Sequence, residues 1–171
     1  FKTYCSAAPK PGNLYYAYDF DFITRNGLAF TIVNTADWVP ETPFTVQTIS
    51  DFNSGNPFSD ISSLLGSQKA AVRWYLKSMY NKMDKSTKKA QKRLDKYLGH
   101  KVYSQVKKQL PQFKEPVYAK TANYMRAGIP IVLQPDEAYR STFPDDPKKS
   151  FMHHAFKPYE MMIKKYYPQL N

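Results

Sequence analysis

The chain has 171 residues, of which 42% are hydrophobic, and this suits one domain with an apolar core. Cys5 is the only cysteine, so no disulfide forms within the chain. The apolar stretch around Cys5 predicts a small buried core residue rather than a nucleophile. No apolar run approaches the roughly 20 residues of a membrane-spanning helix, and no signal peptide is recognisable. The net charge of +11 suggests anionic partners.

The first third of the chain predicts two strands around one helix. Residues 1–8 are apolar and aromatic up to Pro9, which indicates a buried strand. A Pro-Gly-Asn turn leads into a predicted helix over 13–25. Residues 28–34 are nearly all apolar or β-branched, as in a strand buried on both faces of a parallel sheet. The prolines at 40 and 43 then prevent further sheet pairing and predict a stiff loop.

The rest of the chain predicts helices separated by one further strand. A helix is expected from Asp60 to about 81, and a longer one over 84–110 that Gly99 kinks. Residues 129–133 predict a strand. The final helix is expected over 151–166, with its regular part beginning near Lys157 because of Pro158. The stripe that defines the longer helix recurs every four positions: Ala90, Leu94, Leu98, Val102, Val106 and Leu110.

This alternation of strands and helices predicts a single layered α/β domain over residues 1–171. Residues 45–123 form a mostly helical segment between its second and third strands.

Asp37 is the first candidate site residue, because it directly follows the most apolar strand. Functional groups gather at the carboxyl ends of strands in open α/β sheets, and the nearby prolines fix the backbone there. Taken alone, the position of Asp37 favours an ordinary turn aspartate, which is common before a Pro-rich loop. His153 and His154 follow the last predicted strand, whereas His100 lies in a Lys-rich helix where a solvated role is the default. An Asp and then a His follow the chain order Ser–Asp–His of α/β-hydrolases.

No candidate nucleophile accompanies this pair. The chain contains no Gly-x-Ser-x-Gly elbow, and Gly66-Ser67 lacks the strand–turn–helix context that the elbow needs. Ser6 has no flanking glycine to allow a sharp turn. The nucleophilic serine is therefore expected to lie before residue 1, and this chain alone is expected to be inactive.

Four segments resemble the class 3 (fungal-type) lipases. Residues 3–13 (TYCSAAPKPGN) are similar to that family's strand and turn, with Cys5 in place of a glycine and two extra residues before Pro9. Residues 33–43 (VNTADWVPETP) resemble its acid segment. Residues 126–133 (RAGIPIVL) resemble its late strand. His154, with Tyr159 five residues on, looks like its catalytic-histidine segment.

The resemblance implies the C-terminal part of an α/β-hydrolase sheet. The helical insertion at 45–123, between the acid-bearing and histidine-bearing segments, is longer and more helical than that family's pattern. It implies carboxylic ester hydrolysis, with lipid or another ester as substrate. Asp37 would be the catalytic acid and His154 the base, with His153 as the alternative, since adjacent helical residues point about 100° apart. No cofactor and no metal are implied, and the compartment implied is secreted or cell-envelope.

Two alternatives remain open. A metal site at His153, His154, Asp145 and Asp146 is disfavoured, because adjacent residues rarely ligate one ion. A non-catalytic binding module for an anionic membrane surface or nucleic acid is the rival function, although no nucleic-acid motif is present. It would use a cluster of basic residues that also fits a solvated helix face: Lys82, Lys85, Lys88, Lys89, Lys92, Arg93 and Lys96.

The expected partners follow from the same features. If the first strand lacks a neighbour on one side, its open edge favours pairing with another chain. We therefore expect association with the missing N-terminal half or with a second copy of the chain.

Overall fold

The structure is a computed structural model that describes residues 1–170. The chain divides into two compact units. We call the first the α/β unit, formed by Phe1–Pro43 and by the residues from Tyr124 onward, and the second the helical unit, Phe44–Asn123. The predicted segment 45–123 covers nearly the same residues as the helical unit. That it is an insertion in a hydrolase domain stays a prediction.

The α/β unit is built on a small parallel sheet. Its strands lie in the order β1–β3–β5, with Tyr4 opposite Phe30 and Ile32 opposite Ile131. A two-residue antiparallel pair, β2 and β4, lies beside helix α1. The bounds are β1 Thr3–Ser6, β2 Gly12–Asn13, α1 Leu14–Ile23, β3 Ala29–Asn34, β4 Tyr124–Met125 and β5 Ile129–Leu133. The predicted α/β class is confirmed at this coarse level.

Two helices near the C-terminus cover one face of this sheet. Helix α5 spans Glu137–Thr142 and helix α6 spans Phe156–Tyr166. Their core residues are Tyr139, Tyr159 and Met162, which pack with Leu133 of β5 and with Ile32 of β3. Because strand side chains alternate, Asn34 faces the same side as Ile32. The sheet thus brings the end of β3 against α5 and α6.

The prediction that the first strand and Cys5 are buried is wrong. All four residues of β1 are exposed, and so is Cys5. The reason is topological, because β1 lies at the edge of the sheet and β3 is its only strand partner within residues 1–170. Burial of an edge strand depends on a neighbour that local sequence does not reveal.

The helical unit differs from the prediction in where its helices break. The helix predicted from Asp60 to about 81 is interrupted: a short helix α2, Ile61–Leu64, is followed by turns at 65–67, and the next helix begins at Ala70. The predicted break near residue 82 is absent, and helix α3 runs over Ala70–Leu94. A π-helical segment Asp95–Lys101 contains Gly99, where a Cβ would lie 3.2 Å from the Tyr118 ring. Helix α4, Val102–Gln109, continues directly from it.

The regular final helix begins one residue before the predicted Lys157, whereas residues 151–155, predicted as its opening, are not α-helical. Residues Met152–His154 form a 3-10 turn, Ala155 is extended, and α6 starts at Phe156. Pro158 is the third residue of α6, in the first turn, where its missing N–H has no helical partner to lose.

No helix within residues 1–170 combines the length and apolar character needed to cross a bilayer.

Candidate active site

Asp37 lies three residues beyond β3 and is held by backbone groups on both sides. Its N–H donates to the Asn34 carbonyl at 2.9 Å, and its Oδ1 accepts from the Val39 N–H at 3.0 Å. A 3-10 turn, Val39–Glu41, follows with Pro40 buried. The Asp37 side chain is 0% exposed. An Asx-type turn therefore fixes the Asp37 carboxylate, and Pro40 restricts the backbone that follows it.

His154 contacts that carboxylate. Its Nδ1 lies 2.9 Å from Asp37 Oδ2, and its side chain is 34% exposed. An ionised carboxylate only accepts hydrogen bonds, so Nδ1 carries the proton and Nε2 carries the lone pair. Within residues 1–170, Nε2 makes no hydrogen bond. This tautomer leaves a basic nitrogen at the accessible edge of the ring.

Tyr159 provides a third hydrogen bond to Asp37. Its hydroxyl donates to Asp37 Oδ2 at 2.8 Å and accepts from the Asn34 N–H at 3.2 Å. Burial raises the pKa of the Tyr159 hydroxyl above its usual value, and the adjacent Asp37 carboxylate raises that pKa further. Tyr159 therefore stays a neutral donor at every physiological pH, and both oxygens of Asp37 are engaged.

His153 points away from Asp37 into a second pairing. Its Nδ1 lies 2.8 Å from the Tyr139 hydroxyl, and its Nε2 lies 3.0 Å from Asp145 Oδ1. The His153 side chain is 11% exposed, whereas that of Asp145 is 77% exposed. Both ring nitrogens are engaged, so the geometry favours His154 over its predicted alternative.

Asn34 joins the two pairings. Its Nδ2 donates to the Tyr139 hydroxyl at 2.7 Å, and its Oδ1 accepts from the Ala36 N–H at 3.0 Å. Because Tyr139 accepts from Asn34, its own O–H is free to donate to His153 Nδ1, which leaves the His153 proton on Nε2 facing Asp145. One chain of hydrogen bonds therefore runs from Asp145 to His154.

The sequence pattern did not predict this connecting network. Asn34 ends an otherwise apolar strand and is fully buried, as is Tyr139. A polar residue at the last position of a buried strand was the one available signal, since a buried amide needs partners.

Exposed aromatic rings lie beside His154. The Phe151 ring stands edge-on to the imidazole at 6.2 Å, and the Trp38 ring lies 5.2 Å from Phe151. The Trp38 Nε1–H donates to the Ser150 carbonyl at 2.6 Å. This hydrogen bond joins the loop after Asp37 to the segment that leads into His154. The packed rings of Trp38 and Phe151 form an apolar surface beside His154.

The remaining candidates have other contacts. Asp146 accepts from the Lys148 N–H and caps a short turn, and exposed His100 pairs with Glu115. Among residues 1–170, no three His, Cys, Asp or Glu side chains are grouped as metal ligands.

Comparison with protein-family models, curated proteins and solved structures found no match to this chain. The similarity to class 3 lipases described above therefore stays a prediction.

Proposed function

We propose that this chain carries the acid and the base of a serine ester hydrolase of the class 3 lipase type, and that the nucleophilic serine comes from outside the chain. The observation that carries the proposal is the buried Asp37 carboxylate bonded to Nδ1 of His154, whose Nε2 is left without a partner. Hydrolase triads use this arrangement of acid, tautomer and accessible nitrogen.

In the proposed reaction, Nε2 of His154 takes the proton from the serine hydroxyl as its oxygen attacks the ester carbonyl. The same proton passes to the leaving alcohol as the C–O bond breaks, and a water molecule then hydrolyses the acyl-enzyme by the reverse sequence. Asp37 stays ionised, holds the imidazole tautomer and stabilises the imidazolium. The Val39 N–H and the Tyr159 hydroxyl keep the carboxylate in place.

The aromatic surroundings support an apolar acyl group. Trp38 and Phe151 present large exposed rings next to the base. Aromatic rings contribute large apolar contact area without charge, which suits an acyl chain and not a phosphate or a sugar acid. The proposed substrate class is therefore a carboxylic ester with an apolar acyl chain, such as a lipid ester.

The edge of the sheet supports an external source of the serine. The outer edge of β1 pairs with no strand in residues 1–170, and its backbone groups are open to a further strand. We propose that the segment carrying the serine adds to this edge. A second copy of the chain is the alternative occupant, and a size measurement of the isolated chain distinguishes the two.

The test uses the gene product that includes residues encoded before Phe1, together with the 171-residue chain alone. We expect a fluorophosphonate probe to label a serine in the longer product, and expect nitrophenyl ester hydrolysis by it. His154→Ala should lower both by at least about 10³-fold, since the serine loses its base. The 171-residue chain should neither label nor turn over ester.

Two histidine variants serve as matched controls. His100→Gln lies in the helical unit and should leave the rate unchanged. His153→Gln should keep more than a tenth of the rate (about tenfold loss at most), because His153 supports the network without touching substrate. Full activity of His154→Ala, or a larger loss from His153→Gln, would contradict the assignment.

A further inference from the structure

Most residues of helix α3 are exposed. It has 25 residues, about 37 Å in length at 1.5 Å per residue, and none of them is buried. A helix of a globular unit usually buries an apolar stripe. One side of α3 is half-buried, at positions that include Ala90 and Leu94 of the predicted stripe, whereas a second apolar stripe faces solvent.

The apolar stripe lies on one side of the helix. Val72, Leu76, Met79 and Met83 follow each other at steps of four, three and four residues, and all four are exposed. Met83 is the most open, at 59% exposure. Residues with this spacing share one helix face. Their side chains form a continuous unpartnered apolar strip over the first half of α3.

The cations lie on a different side. Lys82, Lys85, Lys89, Lys92 and Lys96 follow at alternating steps of three and four, and they share a face about 130° around the helix from the apolar strip. None of these five lysines makes an ion pair within residues 1–170, whereas Lys88 pairs with Asp84 at 2.7 Å. Their charge is therefore directed at solvent and not at the protein.

The charge of the chain is concentrated in this unit. The helical unit holds 15 of the 25 Lys and Arg residues and 5 of the 14 Asp and Glu residues, which gives it +10 of the total of +11. Trp74 lies on the cationic side of α3 at 73% exposure, in an open groove lined by Lys77, Lys82 and Lys85. This groove opens on the side of α3 away from the apolar residues Val72, Leu76, Met79 and Met83.

We propose that α3 lies flat on an anionic lipid surface. The apolar strip would enter the boundary of the acyl chains, while lysines at its border contact acidic headgroups. A nucleic acid would satisfy the lysines but would leave the apolar strip in water, so the two faces together favour lipid. This proposal does not depend on the hydrolase assignment.

The test is co-sedimentation of the chain with vesicles. We expect binding to phosphatidylcholine vesicles that contain one third phosphatidylserine, and no binding to pure phosphatidylcholine. The triple variant Lys82→Gln, Lys85→Gln, Lys89→Gln should weaken binding about a hundredfold, since each lysine near an anionic surface contributes a factor of about five. Its matched control is Lys148→Gln, Lys149→Gln, Lys157→Gln in the α/β unit, which removes the same charge and should bind nearly normally.

The apolar strip is tested separately. Met79→Ser with Met83→Ser should reduce vesicle binding at least about tenfold, because two apolar side chains that enter the lipid in the bound state are lost. Phe22→Ser with Ile23→Ser, on exposed positions at the end of α1, is the control and should bind normally.

Three outcomes would overturn the proposal. One is equal binding to neutral and acidic vesicles. A second is a Met79/Met83 variant that binds like the unmodified chain while DNA displaces both, which would indicate a polyanion site. The third is a stable dimer that loses its self-association in the Met79/Met83 variant, which would assign the strip to a second copy.

Discussion

Polar side chains around the end of β3 are buried and bonded to one another, whereas those along α3 are exposed and mostly unpaired. At the end of β3, Asp37 and Asn34 are buried, and each oxygen and nitrogen of their two side chains has a hydrogen-bond partner. Along α3 the cations repeat on one face with a single paired acid. In the low-dielectric interior, the loss of one hydrogen bond leaves a polar group unpaired at a large cost in free energy. On the solvated surface each charge contributes little by itself, and the effect comes from their sum. Single substitutions should therefore have large effects in the first region and small, additive ones in the second.

The largest expected effect separates two aspartates. Asp37→Asn in the longer, serine-containing product should lower kcat by about 10⁴-fold, because an amide no longer fixes the His154 tautomer. The matched change Asp84→Asn removes only a partner of Lys88 on α3 and should alter kcat by less than about twofold. The measurement is ester hydrolysis at saturating substrate. Equal effects of the two substitutions would remove the proposed distinction between the regions.

A smaller effect separates two asparagines. Asn34→Leu keeps the side-chain size but leaves the Ala36 N–H and the Tyr139 hydroxyl short of a partner. We expect a loss of about 2–4 kcal/mol in the free energy of unfolding. Asn81→Leu, at an exposed position of α3, should change it by less than about 0.5 kcal/mol.

Urea denaturation measures both, followed by far-ultraviolet circular dichroism, which reports on the helices of both units. A loss below about 1 kcal/mol for Asn34→Leu would show that the buried network is not what stabilises the α/β unit.

Local pattern was enough for the parts of the fold set by nearby residues. The apolar run 28–34 and the prolines after it predicted β3 and a rigid Asp37. The pairing of Asp37 with His154 spans 117 positions and was expected from chain order and from the resemblance to class 3 lipases, and the structure has the two residues in contact. Their catalytic role stays a prediction. The network was not predictable in either way, because Tyr139, which meets Asn34 across 105 positions, belongs to none of the segments that carry the resemblance. Such partners depend on how α5 and α6 pack.

The errors have the same physical origin. Cys5 and β1 look buried by composition, but their exposure depends on which strands flank them. The break predicted near residue 82 is absent, because an exposed helix tolerates polar residues on every face and continues through them. Local sequence predicts conformation better than it predicts what covers a surface.

The smallest expected effect is an alkaline pH dependence of stability to which Tyr159 of the buried region should contribute. Burial raises the pKa of Tyr159 above the ordinary value of about 10 that its unfolded form has. Below pH of about 10 both states keep the proton and the full stability is present. As the pH rises further, the unfolded state releases its proton while the folded state retains it, so the free energy of unfolding falls.

Tyr159→Phe should therefore reduce the alkaline loss of stability by up to about 1.4 kcal/mol per pH unit, although it costs a hydrogen bond to Asp37 at neutral pH. Burial raises the pKa of Tyr139 as well, so part of the slope should persist in this variant. Tyr97→Phe, more than half exposed in the π-helical segment, should leave the slope unchanged because its hydroxyl contacts water in both states. Identical slopes for Tyr159→Phe and the unmodified chain would mean that Tyr159 is hydrated, and the buried carboxylate site would then lose its main distinction from the surface of α3.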